Sequence, residues 1–182
     1  MPILEPEVAL YPPTLFEGLE GASPWRVARV RSRQEKVLAR HLLRSGVGYY
    51  LPLQQKEVRR KGRRFVSHLP LFPGYVFFRG DKTAALQSHV IVHLLEVQDQ
   101  RLLGGELASL WAIQQAGLPL ISHPWLGPGD AVEIVEGPLK GWTGTVLREK
   151  GRLRLVVSVT FLRQSVATEL TREAVAPLAK AG

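Results

Sequence analysis

Arg59, Arg60, Lys61, Arg63 and Arg64 crowd around Gly62, five cations within six residues. Such a cluster neutralises phosphates and releases their condensed counterions, giving binding that weakens steeply with salt and reads little sequence. Arg31 and Arg33 form a second, smaller basic group. The other constellations carry less chemistry. His89 and His93 stand four apart, but in a β-branched run they share no helical face, and no carboxylate pattern completes a metal site. Gly137, Gly141 and Gly144 lack the order of a phosphate-binding loop, so turn chemistry explains them better. The chain has no cysteine, which excludes disulfides, thiolate zinc sites and thiol nucleophiles. No nucleophile, base and orienting residue can be assembled. The sequence therefore reads as a binding protein that needs no cofactor or metal, and not as an enzyme.

Charge patterning locates the binding. The 182 residues carry 24 Lys plus Arg against 16 Asp plus Glu, a formal charge of +8 that favours an anionic partner. By segment, residues 1–24 carry −4, residues 25–82 carry +12, residues 83–126 carry −2 and residues 127–182 carry +2. The electropositive surface belongs to one region. No stretch approaches the roughly 20 apolar residues of a membrane span. The acidic start, without Lys or Arg before Arg26, does not resemble a signal peptide. A cytoplasmic monomer without membrane contact is expected.

The elements that must position these groups follow from periodicity. Residues 1–24, with Glu5, Glu7, Glu17, Glu20 and Pro2, Pro6, Pro12 and Pro13, read as an extended or disordered arm. Trp25 to Val30 suits a short strand. Ser32 and Glu35 have capping-box spacing, Val37, Leu38, His41, Leu42 and Ser45 form a helical stripe, and Gly46 closes it. Residues 49–79 read as a β-meander with Gly62 at a hairpin tip and Pro73-Gly74 as a turn before a buried strand, Tyr75 to Phe78. Val90 to Val97 reads as a strand and Glu106 to Gln115 as a helix with Leu107, Leu110, Trp111 and Gln114 on one side. This order predicts an α+β domain over 25–116, an antiparallel sheet with flanking helices. Gly117 to Gly129 holds three Pro and three Gly, so 117–128 reads as a linker. Five short β-like runs then fill 129–182, the size of a small β-barrel.

These ordered motifs resemble the NusG family of bacterial transcription elongation factors, including specialised paralogues of the RfaH type, from Trp25 to about Leu178. The strongest element is "LPLFPGYVFF", preceded by the basic hairpin and by a helix containing "RQEKVLARHL". "GDAVEIVEGPLKGWTGTV" resembles the KOW motif, and "RLRLVVSVTFLRQSVATEL" continues that domain's hairpin. The resemblance implies an NGN-like first domain and a five-stranded, SH3-like KOW barrel. Some paralogues store the second domain as a helical hairpin. The β-branched run "RLRLVVSVTF" favours strands here. The acidic extension is additional to the family's pattern, and Leu162 stands where a glycine is usual.

The resemblance also assigns roles. Phe72 and Tyr75 match aromatics that receive the clamp helices of the RNA polymerase β′ subunit, with Leu107, Leu110 and Trp111 extending the same depression. Core packing explains the same residues without the family. Arg31, Arg33, Arg59, Arg60, Lys61, Arg63 and Arg64 correspond to a face beside non-template or upstream DNA. Phe161, Leu162 and Arg163 match the loop that engages a small-subunit ribosomal protein or Rho. The implied function is transcription elongation or antitermination, acting on pausing or termination. The alternative is a KOW-type RNA-binding or ribosome-associated protein using the basic hairpin on structured RNA.

Overall fold

The computed structural model describes residues 7–18, 22–125, 131–135, 139–141, 143–170 and 175–177. Of the sequence readings, Pro2, Glu5, Pro6 and Glu20 of the acidic arm, Gly129, Gly137, Trp142 and Leu178 lie outside the described residues. Two compact units divide the chain, Met1–Gln100 and Arg101–Gly182.

The first unit contains β1 (Leu10–Tyr11), β2 (Trp25–Val30), α1 (Glu35–Arg44), β3 (Gly48–Tyr50), β4 (Leu53–Arg60), β5 (Arg63–Pro70), β6 (Tyr75–Arg79), α2 (Lys82–Leu86) and β7 (Ile91–Glu96). Strands β1-β3-β6-β2-β7 form one antiparallel sheet. One face buries Ala28, Val30, Val76 and Phe78 against Leu38, Ala39 and Leu42 of α1. This core explains the helix. Its amphipathic stripe gains more from burial than a ten-residue helix gains from propensity.

The helix ends are made differently from the sequence expectation. Glu35 does not complete a capping box with Ser32: α1 starts at Glu35, its N-cap is Gln34 and no side chain caps it. The Glu35 carboxylate is instead committed to a tertiary partner, described below. Val37 of the expected stripe is exposed, whereas Ala39 is buried. At the other end, the Gly46 and Val47 amides donate to the Leu43 and Leu42 carbonyls, the two bonds of a Schellman motif. Helix α2 was not anticipated. Asp81 caps it by accepting from the Thr83 and Ala84 amides.

The expected meander is interrupted. β3 pairs with β6, and β4 and β5 pair only with each other as a two-stranded ribbon between them. The Leu71 amide donates to the Pro52 carbonyl at the ribbon's neck. Lys61 and Gly62 form the tip with φ of 48° and 76°, the positive pair that a tight type I′ connection requires.

The acidic arm is not free between Glu7 and Gly18. Leu10 and Tyr11 pair with Tyr50 and Tyr49, covering the β3 edge that would otherwise be unpaired. Phe16 stacks on Trp25 at 5.7 Å and meets Tyr50 edge-on at 5.5 Å. Arg40 donates twice to the Glu7 carboxylate at 2.8 Å, and the Tyr49 hydroxyl donates to the Val8 carbonyl at 2.7 Å. The prolines made this segment look structureless, yet its aromatic and aliphatic side chains have places in the core.

The second unit holds most of α3 (Gln100–Gln115), then β8 (Ile121–His123), β9 (Ala131–Ile134), β10 (Thr143–Glu149), β11 (Arg152–Val159), a 3₁₀ turn at Thr160–Leu162, β12 (Gln164–Leu170) and β13 (Val175–Pro177). All five strand-like runs are strands, in the order β13-β9-β10-β11-β12-β8. β8 lies within the stretch read as linker, and pairs with β12. Helix α3 starts six residues before Glu106 despite Gly104 and Gly105. Leu103 and Gly104 are buried, so packing outweighs a glycine penalty of about 1 kcal/mol each.

Candidate functional site

The "LFPGY" run folds as a turn that ties three elements together. The Tyr75 amide donates to the Phe72 carbonyl at 3.1 Å, with Pro73 and Gly74 in the central positions. Gly74 has φ of 87°, as the third residue of a type II turn requires. Its carbonyl accepts from the Val30 amide at 2.9 Å, and its amide donates to Glu35 Oε1 at 2.7 Å. The turn is thereby fixed to β2 on one side and to α1 on the other. Glu35 is 6% exposed.

Tyr75 leads out of this turn on the sheet face opposite α1. There, β2 and β6 present three cross-strand pairs in register: Trp25 with Arg79, Val27 with Phe77, and Arg29 with Tyr75. The Arg79 guanidinium lies 5.1 Å from the Trp25 ring centroid, and that of Arg29 lies 5.4 Å from the Tyr75 centroid. Arg29 Nη1 also donates to the Tyr75 hydroxyl at 2.7 Å. Burial lowers the Arg79 pKa from its ordinary value. Phe72 is 1% exposed and meets Phe77 edge-on at 6.0 Å. The run thus separates into a buried anchor, Phe72, and a half-buried aromatic, Tyr75, whose ring and hydroxyl are oriented by an exposed arginine. Leu107 and Leu110 are buried and Trp111 is partly exposed on α3.

The basic residues gather on the ribbon. Arg59 pairs in register with Arg64, and Arg60 with Arg63. Like charges placed directly opposite repel, so this arrangement disfavours the isolated ribbon and favours an anionic partner. All five tip cations are exposed. Arg31 and Arg33, also exposed, precede α1, and Arg33 adopts φ of 63°. They share the segment between β2 and α1, not the ribbon.

The third group lies between β11 and β12. Phe161 is 38% exposed on the 3₁₀ turn, Leu162 is partly exposed and Arg163 is exposed with φ of 52°. The Glu106 carboxylate accepts from the Thr160 amide at 3.0 and 3.1 Å and from its hydroxyl at 2.5 Å. α3 therefore holds the start of the turn on which Phe161 is displayed.

Sequence reasoning missed Arg29, Glu35 and Glu106 as positioning groups. The register of β2 with β6 would have found Arg29, since Tyr75 is its cross-strand partner. Glu35 was visible but misassigned to a local cap, and nothing in the sequence pointed to Glu106. Among the described residues, no three His, Asp or Glu side chains gather as a metal site. No helix among them is long and apolar enough to cross a membrane.

Residues 23–106 match the family model described as NusG, transcription termination factor nusG. No curated protein matches the chain significantly. Among solved structures, a chain from the crystal structure of the MjSpt4:Spt5 complex, conformation B, aligns at 16% identity over 86% of this chain and 97% of that one. Its TM-score of 0.23 is too low to bear on the fold.

Proposed function

From the match of residues 23–106 to the NusG family model we propose that the chain is a member of that family and a non-catalytic transcription elongation factor that docks on the β′ clamp helices of RNA polymerase. The observation that carries this reading is the Tyr75 turn. A rigid aromatic, leaving a turn whose Gly74 backbone is held by Glu35 and Val30 and held at its own hydroxyl by Arg29, is the kind of pre-organised anchor a helix-in-groove interface uses. Phe72 acts from beneath by holding the turn. Leu107, Leu110 and Trp111 of α3 are the further residues that the family resemblance assigns to polymerase; Leu107 and Leu110 are buried and Trp111 is partly exposed.

In this reading the modules are 25–116 and 129–182, joined through 117–128, with the second closing as a KOW barrel. The ribbon cations, with Arg31 and Arg33, hold non-template or upstream DNA electrostatically. Phe161, Leu162 and Arg163 present the second module to a ribosomal protein or Rho. A short connection keeps that module at high effective concentration near the transcript. Polymerase held in this way changes its pausing.

The test is single-round transcription on a template with a strong pause. Wild type is expected to change the pause lifetime, and Tyr75→Ala to remove that effect. A structured-RNA binder acting away from polymerase would leave pausing unaltered at any concentration.

A further inference from the structure

The ribbon presents an aromatic ring among its cations that the preceding interfaces leave unused. Phe65 is 51% exposed on β5, in a ribbon that belongs to neither larger sheet. Side chains alternate between the two faces of a strand, and the β4–β5 register therefore sorts them. Arg60, Arg63, Val58, Phe65, Lys56 and Ser67 fall on one face, as the in-register pairs Arg60–Arg63, Val58–Phe65 and Lys56–Ser67. Glu57, the only acid of the ribbon, falls on the other face opposite Val66. Phe65 thus sits between two arginines toward the tip and one lysine toward the neck, on a surface with no carboxylate.

We propose that this face is a binding site for unpaired nucleic acid, with Phe65 stacking on a base and Arg60, Arg63 and Lys56 contacting the phosphates on either side. It rests on the reading of the ribbon as a nucleic-acid contact, and adds to it a choice between strand states. Cations alone hold duplex and single strand alike, because both expose phosphates. An aromatic ring favours only the strand whose bases have free π-faces, and stacking accepts any base. A protein partner would leave the three cations of this face to be matched by acids, whereas a nucleic-acid strand satisfies ring and charge together.

The experiment measures binding of the full chain to a short labelled single strand and to the duplex of the same sequence across a salt series. Phe65→Ala is expected to weaken single-strand binding by roughly fivefold to a hundredfold. Duplex affinity and both salt slopes should stay as in wild type. Phe65→Tyr, which keeps the ring, should retain single-strand affinity, and Phe65→Leu, which keeps apolar area without a π-face, should not. The combined Arg59→Ala, Arg60→Ala, Arg63→Ala, Arg64→Ala variant should lose both ligands and flatten both salt slopes. Equal loss of single strand and duplex in Phe65→Ala, no loss of either, or full affinity in Phe65→Leu would overturn the stacking site while the arginine variant still upheld the electrostatic contact. Failure of wild type to bind either ligand, or insensitivity of the arginine variant, would overturn both.

Discussion

The Glu35 carboxylate at the first turn of α1 accepts a hydrogen bond from the Gly74 amide, 39 residues away, at 2.7 Å. This bond couples the helix to the turn from which Tyr75 emerges. A hydrogen bond to a charged acceptor contributes about 2 kcal/mol, and its loss leaves the Gly74 N–H without that partner. Glu35→Ala should therefore lower the urea midpoint of the first unit by a corresponding amount, and Glu35→Gln, which keeps an acceptor oxygen, should recover much of it. Amide exchange at Gly74 should accelerate in the Ala variant. Unchanged exchange there would show that the turn holds itself.

The strap from Glu7 to Gly18 makes a pH-dependent contribution. Burial, and secondarily the Glu7 charge, pushes the Tyr49 phenol up to about 12. In the unfolded chain the same group titrates near 10, to within about one unit. The folded state thus holds the proton more tightly. The stabilisation is fully present below about pH 10 and is lost as pH rises through about 12. Phenolate absorbance should show this late titration, Tyr49→Phe should remove it, and deletion of residues 1–18 should move it back toward the ordinary value. A Tyr49 titration unaffected by the deletion would mean that the strap does not shield it.

Arg40 and Glu7 form the visible ion pair of that strap, with the arginine side chain 57% exposed. An exposed pair contributes about 0–1 kcal/mol. Glu7→Ala should therefore shift the thermal midpoint only slightly, whereas deleting residues 1–18, which removes β1 and the Phe16 contacts, should shift it much more. Similar shifts for both would place the strap's stability in the ion pair instead of in aromatic burial.

How far the sequence disclosed this molecule depends on the range of each interaction. The hairpin around Gly62 was legible because the turn chemistry of Lys61-Gly62 is local. The five strands of residues 131–177 were legible from β-branched runs between turns. The arm was misread because its prolines are local signals, while Phe16 finds Trp25 and Tyr50 only in the folded sheet. Glu35 was misread for the same reason: a capping box and a tertiary bond to Gly74 look identical at the level of spacing. The Tyr75 site was legible as a motif, but not the burial of Phe72 beside it or the orienting contact from Arg29. The Arg29 contact depends on strand register between residues 46 apart.

Glu106 and Thr160 make a further long-range contact whose effect can be read locally. The carboxylate accepts from both donors of one residue at the start of the Phe161 turn, sharing the Thr160 amide between its two oxygens and accepting from the hydroxyl as well. Glu106→Ala should accelerate hydrogen exchange at the Thr160 amide by on the order of tenfold, the equivalent of about one charge-assisted hydrogen bond. Unchanged protection would show that the 3₁₀ turn is rigid without α3.

Docking through Tyr75 is decided by calorimetric titration of isolated β′ clamp helices into the full chain. Wild type should bind, Tyr75→Ala should bind at least about tenfold more weakly, and Tyr75→Phe, which keeps the ring but loses the Arg29 hydrogen bond, should fall between them. Equal affinity of wild type and Tyr75→Ala, or no binding by either, would contradict the assignment of this turn as the polymerase anchor.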